Sequence, residues 1–292
     1  MLAQLRQSVV WRTFRYAWCQ VLKLASADGW RAKFADLPPP QQPMVLFIIP
    51  LIAKQKTKNW ETVCDNLAMT LRSLDAQTSG EWKAIVCGQD RPAFFEETDQ
   101  TMFLPFPVGS GKSYDKRKKL EYMLSSPEAA SCKDAYVFLL DADDVLAAEL
   151  VAYVVTDNNG HGYYMDKGYL WDASEDRMSF LDPDDTIEAR RVPFYKLCGS
   201  SALIRVAFAK GLRSTLPLLK RTSHTKVVEE AAGFGLSLAP LPMFGCVYTL
   251  AHGENMQERR NNLGGKLKFV RNAGLPADAL MKIKTDFGLS QQ

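Results

Sequence analysis

The sequence predicts an α/β fold: a mixed, mainly parallel sheet flanked by helices, with a helical extension at its N-terminus. Three observations predict it. Short apolar runs of strand length alternate with amphipathic segments of helical period. The runs are rich in Val, Ile and Phe throughout, as strands covered on both faces are. Polar and acidic residues gather where the runs stop, the end of a parallel sheet at which ligands are held.

The elements follow in order. Residues 2–25 place Leu2, Leu5, Phe14, Val21 and Leu24 at helical spacing with arginines between them, which predicts an amphipathic helix. LPPPQQP at 37–43 breaks the pattern, so residues 1–43 read as an extension and its linker. MVLFIIP (44–50) is the first buried strand and 58–77 a helix, through Trp60, Val63, Leu67, Leu71 and Leu74. EWKAIVCG (81–88) and TMFLPFP (101–107) are the next two strands, and DKRKKLEYMLSS (115–126) a helix. DAYVFLLDADD (134–144) is a strand that runs into acid, and 146–157 is helical or mixed. Beyond 157 the pattern becomes irregular. The α/β domain is thus expected over 44–255, with a basic C-terminal tail over 256–292.

Composition narrows the class. A chain of 292 residues, 47% hydrophobic and 24% charged, has enough apolar residues for a sizeable core. The net charge of +3 is too small to argue for nucleic acid. The basic residues concentrate at the two ends, which suits either an anionic membrane surface or ordinary solvated faces. The six cysteines lack any C-x-x-C pair and several lie in apolar runs, which suits a reducing compartment. The longest apolar run, 45–53, is too short to span a bilayer and contains Pro50, so a cytoplasmic protein is expected.

Two motifs carry chemistry. GSGKS (109–113) ends like a phosphate-cradling triphosphatase loop, but the first glycine of G-x-x-x-x-G-K-[ST] falls on Phe106. The match fails where the backbone must turn tightest. LLDADDVL sets Asp141, Asp143 and Asp144 at the end of a buried strand. Three carboxylates there repel one another unless a cation neutralises them, and oxygen ligands suit Mg2+ or Mn2+. The alternative is that Asp143 or Asp144 caps the next helix.

A strand ending in D-x-D is used by two enzyme classes. A haloacid-dehalogenase-type phosphatase would use Asp141 as nucleophile, but its D-x-D closes the first strand and it needs a second acid pair; here that pair is Asp184-Asp185 in a loop-like stretch. The order of segments from Val45 to about Asn255 instead resembles the nucleotide-sugar glycosyltransferases of the GT-A (Rossmann-like) fold, family 2-like. The similar pieces are FIIPLI, NLAMTLRSLDAQT, WKAIVCG, LLDADDVL, GSSALIRVAF (199–208) and AAGFGLSLAPLPMFGCVYTLAHGENM (231–256).

The resemblance implies a metal-dependent transfer from a nucleotide-diphosphate sugar to a saccharide or lipid-linked acceptor, as in surface polysaccharide assembly. It implies a donor site at Pro50, Ile52, Lys112, Lys116, Arg117, Asp141 and Asp143, with Asp90 in place of the family's acid after the second strand. It places the divalent metal, Mn2+ or Mg2+, on Asp143, Asp144 and His252. The family's carboxylate base is absent near 221–224, which leaves His224, Glu229 or Glu230 to take the acceptor proton. Tyr169, Trp171 and Asp172 fall where acceptors bind. A non-catalytic binding subunit on the same fold is the other outcome, supported by the missing carboxylate.

Overall fold

The computed structural model describes residues 37–107, 115–208, 219, 224–259 and 261–289. The helix expected at 2–25 and the Gly111-Lys112 turn lie outside the described residues. In chain order the elements are β1 (Val45–Pro50), α1 (Trp60–Asp75), β2 (Trp82–Gly88), β3 (Thr101–Pro105), α2 (Lys116–Leu124), α3 (Pro127–Ser131), β4 (Ala135–Leu139), β5 (Val145–Leu146) and α4 (Leu150–Asp157). Then follow β6 (Gly162–Tyr164), β7 (Gly168–Asp172), β8 (Arg177–Leu181), β9 (Ala202–Val206), α5 (Val227–Gly233), β10 (Ala239–Pro240), β11 (Cys246–Leu250), α6 (Met256–Arg259), α7 (Gly264–Asn272) and α8 (Ala277–Asp286).

The expected α/β sheet is what the chain builds. Seven strands lie in the order β10-β6-β9-β4-β1-β2-β3. Pairing is parallel except at β9, which runs antiparallel to both β4 and β6. The apolar run of β1 is explained by its two covered faces. Val45, Phe47 and Ile49 pack with Val63, Leu67 and Leu74 of α1, whereas Leu46 and Ile48 pack with Leu120, Met123 and Leu124 of α2. Each such side chain contributes about 1.5–3 kcal/mol when fully buried. The start of α1 is set by Asn59, whose side chain accepts hydrogen bonds from the N–H groups of Glu61 and Thr62, a cap worth about 1 kcal/mol.

Three expectations need correction. The irregular stretch after 157 contains β6 and the β7–β8 hairpin, part of a second sheet in the order β5-β11-β7-β8. These strands are short and mix aromatic with glycine and polar residues, so neither a continuous apolar run nor clean alternation announces them. The C-terminal residues are not a tail. Val270 of α7 is buried in the main core, Leu280 and Ile283 of α8 pack against the second, and Leu275 donates its N–H to the Met178 carbonyl. Part of their basic charge is answered internally: Lys282 pairs with Asp286 and Lys284 with Asp176. The proline segment is fastened to the domain as well. Buried Arg205 pairs with Asp134 and donates to the Pro38 carbonyl, and Asn158 donates to that of Pro40. Among the described residues no helix is long and apolar enough to cross a membrane.

Candidate active site

Parallel strands deliver their carboxyl ends to one edge of the sheet, and there the chain opens a cleft of about 660 Å3. β1 supplies Pro50, Leu51 and Ile52, and the turn after β4 supplies Asp141, Ala142 and Asp143. Lys116 and Lys119 enter from the start of α2, His224 from the turn before α5, and His252 from the end of β11. The segment from His252 to Arg259 closes one side. Its Glu254 accepts the N–H groups of Lys58 and Asn59 and pairs with Arg259, which ties this segment to the start of α1.

The acids of the D-A-D-D turn have different surroundings. Asp141 is about one-third exposed and paired with Lys116, and its N–H donates to Ser200 Oγ. Gly199 lies so close that a Cβ there would stand 3.2 Å from Asp141 Oδ2. Asp143 meets His252 Nε2 at 2.9 Å. On the other side of that imidazole, the Asn66 amide lies 2.9 Å from Nδ1 and the Glu254 N–H points to the same atom. Burial alone would discharge His252, but Asp143, with Glu258 and Glu254 behind it, outweighs burial and raises its pKa. Asp144 is fully buried and does not line the cleft. Burial, then the charges of Asp143 and Asp141, push its carboxyl well above the usual range. The three carboxylates nonetheless lie within 4.8 Å of one another.

His224 also lines the cleft. Burial and then the positive charge of Lys266 lower its pKa, so it is a neutral imidazole near pH 7. Deeper in, Asp115 accepts Gln89 Nε2 at 2.6 Å and lies 3.4 Å from both Lys56 and Lys119. Lys119 is 1% exposed and donates to the Leu51 carbonyl at 2.6 Å. The charge run of this helix predicts solvated side chains for Lys118 and Lys119; Lys118 is exposed as expected, and Lys119 is not. Of the lysines at 116, 118 and 119 only Lys119 is buried, and its pairing partner Asp115, four residues earlier, is the signal that singles it out.

The predicted residues separate clearly. Pro50, Ile52, Lys116, Asp141, Asp143, His224 and His252 share the cleft. Asp90 instead holds the turn after β1, accepting the Lys54 N–H at 2.8 Å. Arg117 is exposed on the outer side of α2, and Lys112 is outside the described residues. Glu229 pairs with Lys196, and neither it nor Glu230 lines the cleft. Tyr169, Trp171 and Asp172 belong to the second sheet. Tyr169 stacks on Phe244, Trp171 is 3% exposed with its indole N–H bonded to Asp176, and Asp172 accepts the N–H groups that form the β7–β8 turn. These three are core and turn residues, because inward aromatics are how this small sheet acquires a core.

No family model matches the chain, and no curated protein is similar to it in sequence. Among solved structures, TarS 1–349 of S. aureus is similar with a TM-score of 0.39 and 11% identity, over 84% of this chain and 70% of that one. The 2-C-methyl-D-erythritol 4-phosphate cytidylyltransferase (IspD) of Francisella tularensis is similar with a TM-score of 0.35 and 11% identity, over 77% and 99% respectively. Both TM-scores are below 0.5, so the function rests on the residues of the cleft.

Proposed function

We propose that this chain transfers a glycosyl group from a nucleotide-diphosphate sugar to a saccharide or lipid-linked hydroxyl, with Mn2+ or Mg2+ as cofactor. The observation that supports this reading is the convergence of Asp141, Asp143, His252 and Lys116 on one cleft at the carboxyl ends of β1 and β4. Clustered carboxylates with one imidazole fit a divalent cation of this kind, and Asp141 and Asp143 would hold it from the cleft side. When bound, the cation supplies Lewis-acid stabilisation of the departing diphosphate.

The chain's own groups do the rest. Lys116 brings an ammonium to the phosphates, a charge-assisted contact that a neutral side chain does not make. His252 holds Asp143 in place through Nε2. His224, a neutral imidazole lining the cleft, takes the acceptor hydroxyl's proton. Pro50, Leu51 and Ile52 form an apolar wall suited to the nucleoside. The phosphatase alternative is disfavoured by its second acid pair: Asp184 is engaged by Lys167 and Asp185 by Arg190, and neither lines the cleft.

Thermal-shift titration with UDP, GDP, dTDP and ADP, with and without Mn2+, tests this reading. One nucleotide is expected to stabilise the chain only with metal, by about 2.7 kcal/mol at a hundredfold excess over Kd. Asp143→Asn is expected to remove that response. No shift with any nucleotide, or an equal shift in the variant, counts against the reading; metal-dependent binding without sugar release in a turnover assay leaves a binding subunit.

A further inference from the structure

We propose that Asp144, Cys198 and Cys246 form a second metal site, rich in thiolate and built for zinc, behind the cleft and distinct from the oxygen-donor site within it. This inference stands apart from the transferase reading. The three residues come from the turn after β4, the loop before β9 and the first position of β11. All are fully buried. Their ligand atoms lie within 4.8 Å of one another, and Cys198 Sγ is 3.5 Å from Asp144 Oδ2. Around a tetrahedral zinc with ordinary bond lengths, a sulfur and an oxygen ligand stand about 3.6 Å apart. Two thiolates and one carboxylate are a donor set that prefers zinc to Mg2+ or Ca2+.

Charge argues the same way. A carboxyl sealed among apolar residues with two thiols is costly unless something neutralises it. Three anionic ligands around a dication leave a single negative charge. Lys266 provides the matching positive charge: it is half-buried, donates to the Leu197 carbonyl at 3.0 Å and to Tyr248 Oη at 3.2 Å, and would be favoured by charge on Cys198 and Asp144 once a metal holds them ionised. Among the described residues no carboxylate pairs with it in a salt bridge. Thr249 orients the ligand carboxylate, donating its N–H to Asp144 Oδ1, and its own hydroxyl is buried with no hydrogen-bond partner among the described residues. Such outer-shell contacts fix metal ligands in place. Binding would release the thiol protons and that of the carboxyl to solvent. The metal would then fasten the end of β4, in the large sheet, to β11, in the small one, directly beneath Asp143 and His252.

The full chain should be denatured and refolded with Co2+ in place of zinc, and its near-ultraviolet spectrum recorded. A thiolate-to-cobalt charge-transfer band is expected in the wild type and in Asp143→Asn, and is expected to vanish in Cys198→Ser and in Cys246→Ser. Protein purified from zinc-supplemented cells should carry near-stoichiometric zinc by mass spectrometry, and the two serine variants should not. Wild type with neither zinc nor the band overturns the proposal, leaving a thiol-to-carboxyl hydrogen bond in its place. A band that persists in both serine variants overturns it too. Loss of the band in Asp143→Asn alone would point to the cleft instead. Circular dichroism of each variant separates a lost ligand from a lost fold.

Discussion

The end of β4 and the face of β7 both look like functional surface in the sequence, and only the first opens onto the cleft. The D-A-D-D turn opens onto a cleft and finds a cation or imidazole for each of its partly exposed acids: Lys116 for Asp141 and His252 for Asp143. The aromatic and acidic stretch through Tyr169, Trp171 and Asp172 turns inward, where rings fill the second sheet and the acid caps its hairpin. The difference is physical. Clustered charge at the end of a buried strand must be compensated wherever it lies, so it carries information about its surroundings. Aromatic density does not, since rings serve a core and a sugar site equally well.

The comparison is sharpest under truncation. Trp171→Ala is expected to cost about 3–5 kcal/mol of stability, as large-to-small changes in a packed core do. The metal-dependent nucleotide response of the surviving folded protein should be unchanged. Urea unfolding with and without nucleotide and Mn2+ reads both quantities. A stable Trp171→Ala protein with impaired ligand response would reverse the assignment of the two regions.

Legibility followed the same line. Strands β1 to β4 and helices α1 and α2 were readable because both faces of this sheet are covered, which writes long apolar runs into the sequence. The cleft residues that the pattern alone points to are those at strand ends, whereas Lys116 and His224 come from the resemblance. His224 and His252 share the cleft although twenty-eight positions separate them, and it was the resemblance, not spacing, that brought His252 forward. Lys119 and Asp115 were missed as a pair because a charged helix face shows its inward lysine only once the partner across one turn is considered. Nothing in the spacing of the cysteines at 198 and 246 links them to Asp144; their proximity is a product of topology, since β11 returns beside β5 after a hundred residues. The C-terminal helices were misread because basic residues on the outside of a helix hide the apolar stripe that docks it.

The two histidines of the cleft respond to pH in opposite directions. His252 has a raised pKa, so the stability from its pairing with Asp143 is present below 6.5 and is lost as pH rises through the folded value. His224 has a lowered pKa, so its contribution is intact above 6.5 and is lost as pH falls through the folded value. For a base, the depressed value extends activity downward: the acidic limb of kcat/KM should lie below 6.5 and disappear in His224→Gln, with a rate loss of about 10²–10⁴-fold. A limb above that value, or one that survives the substitution, would take the proton-accepting role away from this residue.

The smallest expected effect lies in the turn that aims His252. Ala251 has φ of +57°, in the left-handed region, and the residue after the histidine, Gly253, has φ of +88°. The other non-glycine residues with such angles include Asn158, Asp176 and Asn261, whose short polar side chains tolerate them. Asp176 is the counterpart in the second sheet, closing the β7–β8 hairpin where a left-handed residue is ordinary turn chemistry. Ala251 has no such excuse. It carries a strain of about 1 kcal/mol that persists because the surrounding contacts of His252 with Asn66, Glu254 and Asp143 over-determine the turn. Ala251→Gly should therefore raise stability by less than about 1 kcal/mol, because relief of strain is partly offset by the freer unfolded chain. The same change should weaken the Mn2+-dependent nucleotide response, since the imidazole is then held less firmly. Asp176→Gly, in the hairpin, should leave that response untouched. Calorimetry alongside nucleotide titration separates the two positions, and an equal response in both would mean that the strain beside His252 has no bearing on the site.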